Sequence, residues 1–200
     1  MIYKYIKLQL IAENAWLYGL VFVYLSMSKD LKGDIMIKKK AIIVDVDGTL
    51  ALMKGIRGPF DHDKVHLDKP NKPVIDLVKA LLGPDPKARQ FPVDVFIFSG
   101  RMDVPFDTPI SPDSMGDDCK SVGDLTAHWL DKHLGWDVWD SLSLRKDGDY
   151  RKDSIVKKEM FDTIKDTHDV LWVIDDRDQV VDMWRNDLGL PTLQVADGKF

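Results

Sequence analysis

The chain has 200 residues, 44% hydrophobic and 30% charged, which suits one globular domain with a small appendage and excludes a largely disordered protein. A net charge of -5 argues against broad adhesion to nucleic acid and leaves room for a local basic patch. The single cysteine, Cys119, excludes an internal disulfide framework and a cysteine zinc site, and points to a reduced, cytoplasmic setting.

Residues 1–40 differ from the rest. The apolar run 15–27 is preceded by Glu13 and Asn14 and falls short of the roughly 20 apolar residues of a membrane span, so membrane association is not expected. Lys4 and Lys7 stand in front of it as in a secretory leader, but no small-residue cleavage site follows. Residues 1–37 read as an appended helix, or as a stretch ahead of a true start at Met36; residues 38–200 read as the domain. Lys38, Lys39 and Lys40 read as a solvated strand entrance.

Residues 41–49, AIIVDVDGT, organise the remainder of the chain. An apolar run that stops at carboxylates suits a strand buried on both faces, with Asp45 and Asp47 at its ligand-binding edge. Spaced two apart, the acids would point the same way on an extended backbone, and Gly48 permits a sharp turn. Next, Gly55, Gly58 and Pro59 mark a loop or short hairpin carrying Arg57, a candidate anion clamp.

Residues 73–82 have helical spacing, with Pro73 in the first turn and Gly83 as a stop. Residues 83–92 form a polar connection. Residues 93–98 alternate as a second strand that ends at Ser99-Gly100-Arg101, where the serine hydroxyl is a candidate phosphate contact. Residues 102–120 read as a loop. Residues 121–134 read as a helix with Leu125, Trp129 and Leu134 inward; His128 and His133, five apart, read as ordinary helix-surface residues.

Residues 141–144 suggest a third strand and Gly148 a turn. Asp153 or Ser154 is a candidate cap for a helix carrying Ile155, Val156, Met160 and Phe161. The basic residues 145–158 read mostly as a solvated face. Residues 170–174 form another buried strand ending in Asp175-Asp176-Arg177. Residues 178–187 come next as a helix and 192–195 as a last strand. Strand and helix by turns predict an α/β fold with a parallel sheet covered on both faces.

Such a sheet would gather Asp45, Asp47, Ser99, Asp175 and Asp176 along one edge. Four converging carboxylates raise one another's pKa unless a cation neutralises them, and hard oxygen ligands select Mg²⁺. Acids, metal and nearby Arg and Lys together predict a phosphate substrate. A carboxylate can then serve as nucleophile, and a second acid two residues on can protonate the leaving oxygen. No G-x-x-x-x-G-K-[ST] loop is present, so an ATP-dependent kinase half is not expected. An EF-hand does not fit, because Gly48 follows only two acids and a buried run. A sugar-nucleotide transferase D-x-D site leaves Gly48-Thr49, Ser99-Gly100-Arg101 and the late Asp pair unexplained.

These pieces carry a resemblance. DVDGT, FSGR, RKDSIVKKE and IDDR resemble the four motifs of the haloacid dehalogenase superfamily of phosphohydrolases. More narrowly, residues 39–200 resemble the 3′-phosphatase domain of the bacteriophage polynucleotide kinase family, through DVDGTLALMKGIRGPF, RKDSIVKKEMF, IDDRDQVVDMWR and QVADGKF. The resemblance implies a Rossmann-like sheet with a minimal cap, Mg²⁺ as cofactor, and nucleic-acid 3′-phosphate ends as substrate. It implies that Asp45 is the nucleophile and, with Asp175 and the Val46 carbonyl, a metal ligand. Asp47 would be the general acid and base, and Asp176 would support the metal. Thr49 and Ser99 would hold phosphoryl oxygens; Arg57, Arg101 and Arg145 would grip the phosphate or backbone. Lys157 and Lys152 both fall in the lysine motif, with Lys157 preferred. A phosphatase for small phosphomonoesters and a non-catalytic end-binding module are the alternatives.

Overall fold

The computed structural model describes residues 38–82, 92–113 and 118–198. The expectations for residues 1–37, for the stop at Gly83 and for most of the 83–92 connection lie outside the described residues.

The first strand, β1 (Lys39–Asp45), is exposed at its two lysines and buried from Ala41 onward. The alternation of a pleated strand sends Ile42 and Val44 into one core and Ile43 into another, which is why the run is apolar without interruption. β2 (Ala51–Leu52) and β3 (Lys69–Pro70) form a two-residue antiparallel pair, with a short 3-10 helix, His62–Leu67, between them. Then come α1 (Lys72–Leu82), β4 (Val93–Asp103), β5 (Pro105–Ile110), β6 (Cys119–Ser121), α2 (Val122–His133) and β7 (Ser141–Lys146). The chain closes with α3 (Asp153–Asp162), β8 (His168–Asp175), α4 (Asp178–Asp182), a π turn at Met183–Asp187, and β9 (Thr192–Gln194).

Five strands make one parallel sheet in the order β7-β4-β1-β8-β9. The strand order reverses between β1 and β8, and ligands of open α/β sheets bind outside the carboxyl ends at such a point. Val44 pairs with Ile174, so Asp45 and Asp175 stand side by side at that edge.

One face carries α1 and α2: Val74, Val78, Leu82, Trp129 and Leu130 pack on Ile42, Val44, Val95 and Ile97. The other carries α3, α4 and the π turn: Val156, Met160, Val180 and Trp184 pack on Ile43, Phe98 and Val173. A third, smaller core joins Val65, Cys119, Val122 and Leu125 with Phe106 and Ile110.

Four expectations change. Residues 102–120 are not all loop: β5 and β6 pair there, held by Phe106, Ile110 and Cys119 in the third core, a non-local contact that periodicity does not reveal. β4 does not end at Ser99 but runs on to Asp103, through an irregularity between Ser99 and Met102 that changes where its side chains aim. The helix after β8 widens into a π turn at Met183, which seats Trp184 fully buried. Asp153 is not a cap; Lys152 is the N-cap without a side-chain bond, and Asp153 opens the helix with its carboxylate committed to Arg145 and Arg177. Elsewhere the helix at 122–133 starts on a full capping box, Ser121 accepting from the Asp124 N–H and Asp124 accepting from Ser121.

Candidate active site

The carboxyl edge of β1, β4 and β8 opens into a cavity of about 340 Å³ with Asp45, Asp47, Asp176 and Lys157 in its lining. β1 delivers Asp45 and β8 delivers Asp175 and Asp176, all three almost fully buried. Lys157, on the buried face of α3, reaches across to both strands. Its Nζ donates to Asp45 Oδ1 at 2.6 Å and to Asp175 Oδ2 at 2.7 Å. Trp184 Nε1 also donates to Asp175 Oδ2 at 3.4 Å, which ties the π turn to the site. Lys152, by contrast, is exposed and lines no part of the cavity.

Burial pushes the Asp45 carboxyl up, the ammonium of Lys157 opposes this, and Asp175 and Asp176 push it up again. Burial, then Asp175, likewise raises Asp176. For Lys157, burial works to lower its pKa, but Asp175 and Asp45 overcome this and hold it above the usual lysine value.

One oxygen from each of Asp45, Asp175 and Asp176 lies within 4.8 Å of the others. Asp176 Oδ1 accepts from the Thr49 hydroxyl at 3.4 Å, while its Oδ2 is buried with no partner. A buried carboxylate oxygen without a donor is costly. With all three carboxylates ionised, one lysine leaves a net charge of −2, which one divalent cation would neutralise. The donor set therefore fits a hard divalent ion. Gly48, at φ 84°, belongs to this arrangement: a Cβ there would stand 2.0 Å from Asp176 Oδ2. Only three acids gather, not four, because Asp47 faces elsewhere. The Val46 carbonyl, expected as a further ligand, is engaged in its own turn: it accepts from the N–H groups of Leu50 (2.9 Å) and Ala51 (2.8 Å), using both lone pairs.

β1 ends at Asp45, so the alternation that paired Asp47 with it in orientation no longer applies. Asp47 is held by two arginines. Arg101 Nε and Nη2 donate to it at 2.8 and 2.9 Å, and Arg57 Nη2 at 2.8 Å. Burial works to raise its pKa, but Arg101 and then Arg57 outweigh this and hold it below the usual carboxylate range.

The same two arginines share Asp68, which sequence reading missed. Arg57 grips it through Nε at 2.8 Å and Nη2 at 2.7 Å, and Arg101 through Nη2 at 2.7 Å. Trp129 Nε1 fixes the Asp68 carbonyl at 2.8 Å, and Thr126 accepts from Arg101 Nη1 at 3.1 Å. Nothing in the HLDKPNKP stretch distinguishes Asp68 from a turn aspartate; only the fold places it under both guanidinium groups.

Arg145 lines the cavity but serves mainly as a brace. It donates to the carbonyls of Gly100 (2.9 Å), Asp149 (3.0 Å) and Arg151 (2.6 Å), and to Asp153. Those bonds use four of the five guanidinium N–H donors, so Arg145 holds the loop after β7 more than it offers itself to an anion. Gly100 permits this packing: a Cβ there would lie 2.9 Å from Asp153 Oδ1. Thr49 and Ser99 are fully buried and line no part of the cavity; the Ser99 hydroxyl accepts from the Arg101 N–H at 3.2 Å. The two histidines are half-buried rather than surface residues, His128 Nε2 lying 3.1 Å from Asp113 and the His133 ring 4.6 Å from that of Trp129.

The chain matches known proteins over this same region. Residues 39–200 match the family model of the polynucleotide kinase PNKP phosphatase domain. Two solved structures are similar. One, described as the Pnkp1/Rnl/Hen1 complex, is 34% identical with a TM-score of 0.61, over 82% of this chain and 48% of the other. The second, described as the Pnkp1/Rnl/Hen1 RNA repair complex, is 33% identical with a TM-score of 0.62, over 85% and 49%. The chain thus spans about half the length of these relatives. No helix among the described residues is long and apolar enough to cross a membrane. With an acid-and-lysine centre at the reversal of a five-stranded parallel sheet, and a family match from residue 39 to 200, the chain belongs to the polynucleotide kinase phosphatase-domain family, on a haloacid dehalogenase-type fold.

Proposed function

We propose that residues 38–200 form a Mg²⁺-dependent phosphatase that removes 3′-phosphates from polynucleotide ends through an aspartyl-phosphate on Asp45. The observation that carries this reading is the Asp45 carboxylate at the floor of an open cavity, 2.6 Å from Lys157 and flanked by two arginines held on acidic partners. Asp45, Asp175 and Asp176 would hold the metal, which neutralises phosphoryl charge when bound.

The anion enters by taking guanidinium donors of Arg57 and Arg101 from Asp47, while Asp68 keeps both side chains aimed at the cavity. An Asp45 oxygen attacks phosphorus; that O–P bond forms as the bond from phosphorus to the 3′ oxygen breaks. Asp47, its arginines drawn off by the anion, takes up a proton from solvent and gives it to the departing oxygen. A water then attacks the aspartyl-phosphate and passes a proton to Asp47. Asp45 is restored and inorganic phosphate leaves. Lys157 holds Asp45 Oδ1 in place and offsets charge throughout.

The test is phosphate release from a 3′-phosphorylated oligonucleotide with Mg²⁺, with EDTA as control. Turnover is expected in the metal-loaded wild type and a loss of about 10⁴-fold or more in Asp45→Asn, as for other nucleophile replacements. Release from small phosphomonoesters alone would point to the small-molecule reading. An inert wild type that binds ends as well as Asp45→Asn does would point to an end-binding module.

A further inference from the structure

We infer that Phe60 and Tyr150 form a stacking clamp for the last two bases before the 3′-phosphate, making the enzyme favour ends of at least two nucleotides over mononucleotides; this rests on the polynucleotide reading above. Phe60 is 76% exposed and Tyr150 81% exposed, yet both line the cavity whose floor holds Asp45. They come from separate loops, Phe60 from the segment after β2 that carries Arg57, and Tyr150 from the turn after β7. The exposure gradient, from a nearly sealed Asp45 to two open rings, puts the rings at the mouth and the acid at the base.

Leaving a large ring in water forfeits the burial that the core grants Phe98, Trp129 and Trp184. Apolar residues exposed singly need no explanation, but these two rings line one cavity together. The substrate's phosphate is drawn to the arginines below, so the groups that reach the mouth are the sugar and base attached to it. Every base has a flat π face, which makes aromatic stacking tolerant of sequence. The two ring-bearing loops are also well anchored: Arg57 is pinned to Asp68, while Arg145 braces the carbonyls of Asp149 and Arg151 on either side of Tyr150. Anchored loops keep the rings positioned before the substrate arrives, which reduces the ordering cost of binding.

The experiment compares kcat/KM on a 3′-phosphorylated oligonucleotide with that on a nucleoside 3′-monophosphate, in the metal-loaded full chain. The ratio favours the oligonucleotide in wild type. Phe60→Ala and Tyr150→Ala each raise KM for the oligonucleotide by about 5- to 100-fold, the range that stacking of one base supports, with kcat kept, and the ring that meets the second base also lowers the ratio, because the monophosphate lacks that base. Tyr150→Phe keeps the wild-type KM, because the ring and not the hydroxyl stacks. A terminal 2-aminopurine loses its quenching on binding to either Ala variant. An unchanged ratio in both Ala variants, with the oligonucleotide still turned over, overturns the clamp alone. A wild type that hydrolyses the monophosphate and no oligonucleotide end overturns the clamp together with the polynucleotide reading.

Discussion

Lys157 shows how one side chain can serve stability and chemistry at once. It is a lysine with almost no exposed surface, and burial alone would make its charge costly. Asp45 and Asp175 at 2.6 and 2.7 Å offset that cost, and in return the ammonium keeps two buried carboxylates together. Breaking a buried ion pair by removing one partner leaves the other charge uncompensated, at about 3–5 kcal/mol. Lys157→Met is therefore expected to lower Tm by on the order of 10 °C in a protein of this size, read by calorimetry or circular dichroism, and to lose phosphatase turnover with it. Bound Mg²⁺ is expected to restore part of the lost Tm, since it supplies positive charge to the same acids; an unchanged Tm without metal would disprove the structural role. Asp68 has the same logic with the signs reversed, one buried acid holding two arginines.

Among the elements, α2 illustrates a contribution that is local and separable from the site. Its first turn is closed by the reciprocal Ser121–Asp124 pair, which satisfies N–H groups that the helix leaves open. Ser121→Ala is expected to cost about 1 kcal/mol, within a range of about 0.5–2, and to lower Tm by a few degrees. Its kcat and KM on the oligonucleotide are expected to stay as in wild type, because the hydrogen bonds from α2 to the site come from Thr126 and Trp129, turns further on. A loss of turnover at equal folded fraction would contradict that separation. The π turn stands in contrast. There the departure from regular helix seats Trp184 under Asp175, so the irregular element is the one joined to the acids.

For the whole molecule, the sheet places like charges together and thereby creates a linked equilibrium. A ligand bound by the folded chain and not the unfolded one stabilises by mass action, about 2.7 kcal/mol at one hundred times its Kd. Tm is therefore expected to rise with Mg²⁺ concentration and to fall back on chelation, and Gly48, which leaves room for Asp176 Oδ2, should not tolerate a side chain without loss of that response. A flat Tm across the titration would argue against the acid triad as the metal site.

Much of this was legible in the amino-acid order. The unbroken run 41–44, the carboxylates that end two strands, and the alternation of strand and helix rest on hydrophobic period and local turn chemistry, which do not depend on distant contacts. Those features alone gave a parallel α/β sheet with acids along one edge. What the order of residues does not contain is which charges meet. Asp47 leaves the acid cluster for two arginines, Asp68 joins them from a turn, the Val46 carbonyl is consumed by its own tight turn, and Arg145 braces a loop. Lysines five positions apart divide into one exposed and one buried. Hydrophobic periodicity is a property of neighbours along the chain, whereas an ion pair is a property of neighbours in space; only tertiary packing decides the second.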